Sequence, residues 1–228
     1  MYVNDRFDVI EEIETVADLE QHYTDELLPL RNTLYNESTT DLIEDFVEQN
    51  PPDLSEADLE QVAAWTDFVA GEFVVVRYRT DDAIFLDWTE PPKAYAVRPA
   101  RLPFVELWDE SALPVPVSSV ALLPFEGEIV YDGWVGVKNI IFGGSLSTDT
   151  DNEYEEAKHR FGIIDSLPAP EEDEKTDTEE LRFYMKNKRN RERYASEIEQ
   201  LRQKSDELER IRKWGRLELE AWVGNCVN

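Results

Sequence analysis

The chain has 228 residues, enough for one ordinary domain with an appendage or for two small ones, and 41% hydrophobic and 11% aromatic content supplies a core. Asp and Glu number 51 against 23 Lys and Arg, a formal charge of −28, while Cys226 is the single cysteine and His22 and His159 are the two histidines. That inventory excludes an internal disulfide and a Cys/His zinc site, and no run approaches the ~18 apolar residues of a membrane span.

In dilute buffer so large a charge imbalance repels itself, but at molar salt the Debye length falls to about 3 Å and the repulsion is screened. The bases are 8 lysines and 15 arginines. An acid-rich, lysine-poor chain with many aromatics predicts a soluble, cytoplasmic protein of a salt-accumulating halophile of the haloarchaeal type. An ordinary acidic mesophile protein is the alternative. On the first reading the acidic surface reports on solvent and not on partners.

From Val9 to about Tyr35 the apolar spacing predicts helix, with Pro29 kinking or dividing it. A second helix follows, capped at Ser38, Thr39 or Thr40 and closed by Pro51-Pro52. A third opens with Ser55 and Asp58 at capping spacing and stops at Gly71. Beyond Gly71, "EFVVVRYR", "AIFLDW" and "AYAVRP" predict three antiparallel strands. "RLPFVELWDESALPVPV" predicts a connection that packs Phe104, Leu107 and Trp108 onto the sheet. Glu126-Gly127 and Asp132-Gly133 are hairpin-type turn signals, which predicts a meander of residues 120–125, 128–131 and 134–142. Gly143-Gly144 ends it, and a helix near 151–162 begins at a Thr150/Glu153 capping box and stops at Gly162.

"DSLPAPEEDEKTDTEE", residues 165–180, holds eight acids, one lysine and two prolines, and predicts an extended acidic linker. Residues 181–228 then reverse the charge to +4, against −32 for residues 1–180. From Leu181 to about Leu219 the pattern predicts one long basic helix. Its narrow seam is Tyr194, Ile198, Leu201, Leu208 and Ile211, interrupted by Ser205 and Arg212. Such a seam is too thin to be stable alone and asks for a partner helix.

No sequence motif carries a catalytic or cofactor assignment. "FGGSLS" has the look of a loop before a helix, but no phosphate-loop, dinucleotide or nucleophile-elbow pattern surrounds Gly143, Gly144 and Ser145. "DTDNEYEE" lacks the glycine and the terminal glutamate of a calcium loop. Asp87, Asp132 and Glu128 stand at strand ends and form a possible carboxylate site for metal or acid/base work. Lys186, Lys188, Arg189, Arg191 and Arg193, interleaved with asparagine and aromatic residues, suit phosphate contact and base stacking, or pairing with the acidic linker or body.

"LLPFEGEIVYDGWV", followed by "FGG" and "EYEEAKHRFGI" and preceded by "AIFLDW" and "AYAV", resembles a segment of an uncharacterised family of prokaryotic proteins. The resemblance spans roughly residues 55–167. Some members of that family carry SEC-C-type metal-binding tails; this chain has no cysteine cluster at its end, so no metal role carries over. The resemblance implies a domain boundary and no known activity.

The expected fold is α+β: N-terminal helices (1–70) packed on an antiparallel sheet of about six strands (71–167), an acidic linker (168–180) and a long C-terminal helix (181–228). The expected function is a non-enzymatic interaction or scaffold protein without cofactor. It would join a protein partner, or a second copy, through the C-terminal seam. A nucleic-acid-associated accessory protein using residues 182–193 and a carboxylate-dependent hydrolase are the alternatives.

Overall fold

The computed structural model describes residues 1–11, 13–19, 26–36, 41–100, 102–137, 144–172 and 175–225. The chain divides into two compact units, Met1–Glu172 and Asp173–Asn228. It is an α+β protein, as expected.

In the first unit, β1 (Val69–Tyr78), β2 (Ala83–Asp87) and β3 (Ala94–Arg98) form the predicted antiparallel meander. β4 (Val115–Phe125) and β5 (Glu128–Tyr131) form a hairpin. Its turn residues Glu126 and Gly127 have φ of 51° and 81°, the left-handed pair that a type I′ turn requires. β4 also pairs with β1, and β5 runs parallel to β3, so the order β1-β2-β3-β5-β4 returns to β1 and the sheet closes. This is the connectivity of a five-stranded Greek-key barrel of the OB type. The short β6 (Gly136–Val137) and β7 (Ile163–Ile164) add to β4 and β3.

Several details differ from the sequence expectation. The sheet is mixed, because β5 and β7 both meet β3 in parallel. β6 pairs with β4 and not with β5, so the Asp132-Gly133 turn leads out of the hairpin and does not extend the meander. Gly136 is needed there, since a Cβ would lie 2.8 Å from Ser118 Oγ and 3.1 Å from its carbonyl oxygen. Residues 138–142 of the predicted third strand lie outside the described residues. Gly71 sits inside β1, opposite Val120, instead of ending a helix. Register shifts near Ser119, whose φ is 53°, and at Val75/Arg77 bend the long strands β1 and β4 around the barrel.

Burial explains why the β1–β3 segments read as continuous apolar runs. Phe73, Val75, Phe85, Tyr95, Val97 and Leu122 fill the interior. The alternate residues Val74, Val76, Ile84, Leu86, Ala94 and Ala96 lie on the outer face, buried with Tyr154 and Ala157 of α7 (Gly144–Arg160). Both faces of this part of the sheet are therefore dry. The connection between β3 and β4 carries α6 (Phe104–Leu107). Phe104 is buried against Phe85 and Tyr131, and Tyr78 donates its hydroxyl to the Phe104 and Trp108 carbonyls, at 3.2 and 2.8 Å. Trp108 packs at the edge of the core as expected, whereas Leu107 is exposed.

The N-terminal helices are shorter than predicted: α1 (Tyr2–Phe7), α2 (Val16–Leu19), α3 (Leu28–Leu34), α4 (Asp41–Gln49) and α5 (Glu56–Ala64). Asp8 ends α1 in the left-handed conformation, and buried Asn4 bonds the backbone at Ile10 and Ile13, fixing a loop where continuous helix was expected. Pro29 stands in the first turn of α3, where its missing N–H costs nothing. Ser55 caps α5 as expected. The expected caps Ser38, Thr39 and Thr40 lie outside the described residues. α7 begins at Gly144, so Thr150 is a buried mid-helix residue and not a cap. Gly162, at φ 74°, ends the helix as predicted.

Among its described residues the second unit has three helices and not one: α8 (Asp177–Tyr184), α9 (Lys188–Arg193) and α10 (Ala195–Asn225), the last described by side chain as far as Lys213. Thr176 and Glu179 form a reciprocal capping box, which places the last acids of the predicted linker inside α8. Asn187 caps α9 by accepting from Asn190 N at 2.8 Å.

Candidate functional site

α8 lies beside the first part of α10. Tyr184 stacks on Tyr194 with ring centres 4.6 Å apart, Phe183 tilts against Tyr194 at 5.9 Å, and Lys204 reaches Asp177 at 2.6 Å. Asn190 is buried and donates to the Phe183 carbonyl at 2.9 Å, which ties α9 to the end of α8. The predicted seam is thus covered at its start and opens along the helix. Tyr194 is 6% exposed, Ile198 and Leu201 are half-buried, and Leu208 and Ile211 are 57% and 60% exposed. A helix satisfies its own backbone, but not an apolar stripe left in water.

The basic residues are carried by α9 and its flanks. Lys186, Lys188, Arg191 and Arg193 are exposed, and Arg189 is half-buried. Arg191 donates to the Met185 carbonyl at 3.1 Å, Lys188 lies 3.6 Å from Glu192, and Arg193 lies over the Tyr194 ring at 5.6 Å. The aromatic residues that would stack on bases, Phe183, Tyr184 and Tyr194, face one another instead. They build the unit's small core.

The three carboxylates are not brought together. Asp87 is buried and holds its own turn, accepting from Thr89 Oγ1 and Lys93 N, both at 2.8 Å, with the Tyr95 hydroxyl at 3.4 Å. Burial, and then the Asp87 charge, push the Tyr95 phenol well above its usual range. Asp132 forms an ion pair with Arg31 of α3, which fastens that helix to the end of β5. Glu128 pairs with Arg98 at 2.6 Å on the outer surface. Read along β3, Asp87 lies level with Lys93 and Asp132 beyond Arg98, roughly 20 Å apart at strand spacing. Among the described residues no three His, Cys, Asp or Glu side chains are grouped to hold a metal ion. Gly143 and the side chain of Ser145 lie outside the described residues, and Asp149, Asp151 and Glu153 are spaced along helix α7.

The topology raises a further candidate that sequence reasoning missed. OB-type barrels commonly bind oligomers on the outer face of strands two and three. Here that face is the one buried against Tyr154 and Ala157. Arg77, at the end of β1, lies 4.3 Å over the Tyr154 ring and 4.0 Å from Asp151, which helps seat α7. The turn between β1 and β2 contains Asp81 and Asp82, and the turn between β4 and β5 contains Glu126. These loops offer acids to a polyanion.

An open groove of about 400 Å³ lies between α3 and the β1–β4 bulge, lined by Arg31, Asn32, Tyr35, Gly71 and Ser119. Tyr35 is pushed up to about 12 by burial first and by the Asp132 charge second, with Arg31 opposing. A second groove, about 280 Å³, runs beside Tyr78, Asp82, Pro103 and Val105. Neither contains a nucleophile paired with a base.

No described helix is long and apolar enough to cross a membrane. Compared with known proteins, the chain matches no family model, no curated protein and no solved structure at a significant level.

Proposed function

We propose that this is a non-enzymatic interaction protein of a salt-rich cytoplasm, in which the barrel is a closed structural body and the C-terminal helix makes the contact with another protein chain. The observation that carries the reading is the exposure of Leu208 and Ile211 on α10 beyond Lys204, where the described contacts with α8 end. Burying a side chain of either type is worth about 1.5–3 kcal/mol, a gain the single chain forgoes. The dispersed carboxylates and the mutually stacked aromatics of α8 and α10 weigh against the hydrolase and nucleic-acid readings. The acidic surface fits solvation at high salt, where the Debye length is about 3 Å.

Light-scattering mass after size exclusion, in ~3 M KCl, tests this on the full chain and on Leu208→Asp/Ile211→Asp. A multimer for the first and a single-chain mass for the second is the expected outcome. A single-chain mass for the unmodified protein at ~100 μM, where contacts of micromolar Kd are populated, overturns self-association through α10 and leaves a different protein chain as the only partner the reading allows.

A further inference from the structure

Resting on that reading, we propose that the partner of α10 is a second copy of this chain, aligned parallel and in register as a two-stranded coiled coil. Positions 194, 198, 201, 205, 208 and 212 alternate steps of four and three, a continuous heptad frame in which Ile211 flanks the seam at g. In that frame Ile198 occupies an a position and Leu201 and Leu208 occupy d positions. A β-branched residue at a with leucine at d favours two parallel strands. Ser205 and Arg212 fall at a. Each meets its own copy there, and a polar residue at a fixes register and oligomer state at a cost in stability.

The flanking charges choose the orientation. In a parallel pair each g residue faces the e residue five positions on in the partner copy. Glu197 at g then meets Arg202 at e, and Lys204 at g meets Glu209 at e, so both pairings are attractive and each occurs twice by symmetry. Glu199, on the outer face, accepts from Arg202 of its own helix at 2.9 and 2.8 Å and from Gln203 Nε2 at 3.2 Å, exposed contacts that Arg202 exchanges for Glu197 of the second copy. Lys204 also holds Asp177 of α8 at 2.6 Å, with both side chains more than half exposed. That exposed contact is weak, and an ammonium group has three donors to share. The seam is covered at Tyr194, half-buried beside α8 at Ile198 and Leu201 and 57% exposed at Leu208, so the second copy has most of its room beyond Lys204.

The test uses the full chain with Cys226→Ser as background. Ser205→Cys is predicted to form a disulfide-linked dimer on mild oxidation at least tenfold faster than Gln203→Cys on the outer face. Lys204→Glu and Glu209→Lys are each predicted to weaken the dimer several-fold at moderate salt, and an equimolar mixture of the two is predicted to restore it as a heterodimer. An antiparallel pair would juxtapose g with g and e with e, and the mixture would not complement. A dimer by mass that fails either the Ser205 comparison or the complementation overturns the parallel register and leaves association through α10 standing. A single-chain mass overturns the second copy as the partner, and with it the register.

Discussion

In the barrel, Phe85, Val97 and Leu122 have no solvent exposure, whereas in the C-terminal unit Leu208 and Ile211 are more than half exposed. The two regions contain comparable apolar side chains and differ in how their backbone is satisfied. A strand needs neighbours for its hydrogen bonds, so closure of the five-stranded order brings side chains together as a by-product. A helix needs none, and α10 is complete in backbone terms while its stripe remains open. The difference teaches where to look for contacts in a chain without a catalytic constellation. Strands β1–β3 have used both faces, one for the interior and one for α7, and the helix has a face left over.

The comparison would break most visibly if core and arm responded alike to truncation. Phe85→Ala, which removes contacts with Phe73 and Phe104, is expected to cost the first unit about 3–5 kcal/mol in urea unfolding. Leu208→Ala should stay within about 0.5 kcal/mol in the same assay on dissociated protein. Tyr154→Ala sharpens the point about the outer face of the barrel. Loss of its ring from Ala157, Val76 and Arg77 is expected to cost about 3 kcal/mol and to expose apolar surface to a hydrophobic dye. A variant as stable as the parent would mean that α7 is not what keeps this face dry.

Asp87→Ala tests whether that carboxylate is structural. It leaves the Lys93 N–H and the Thr89 hydroxyl without their acceptor, and a loss of about 1–3 kcal/mol in thermal unfolding is expected. Tyr35 offers a pH test of the contact between α3 and the sheet. Its phenol is raised in the folded state, so the folded protein binds that proton more tightly than the unfolded chain does. The contribution is intact below about pH 10, the ordinary tyrosine value, and is lost as pH rises through about 12. Absorbance of tyrosinate followed against near-ultraviolet circular dichroism measures it, and a Tyr35→Phe variant should lose one late-titrating group. The smallest effect is expected at Thr176→Ala. Removal of the capping box should speed hydrogen exchange in α8 several-fold while the barrel's unfolding midpoint stays unchanged.

Much of the fold was legible because local chemistry and tertiary structure agree. β5 coincides with its predicted bounds because Glu126-Gly127 supplies the two left-handed residues that a tight turn needs. Ser55 caps α5 for an equally local reason. The misreadings share a cause. Thr150 and Glu153 have capping spacing, but α7 starts earlier, and Thr150 is buried in its middle. Gly71 looks like a helix stop and instead lies beside the β-bulge, because β1 must pair along its length with β4. The candidate site was half legible. The heptad seam is written in the sequence, but only the packing of Phe183 and Tyr184 on Tyr194 shows which end of it is already covered. Asp87, Asp132 and Glu128 gave no sign of separate duties, since a carboxylate's partner is set by which strands adjoin.

By itself the sequence determined the α+β class, the acidic charge balance and the positions of the tightest turns. Each of these follows from residue chemistry acting over a few positions. Only the tertiary structure decided that the strands close into a barrel, that β5 meets β3 in parallel, that α7 covers the outer face, and that α10 keeps Leu208 and Ile211 in water. Those outcomes depend on pairings between residues far apart in the chain, and a period of two or of 3.6 identifies a face without identifying what will lie against it.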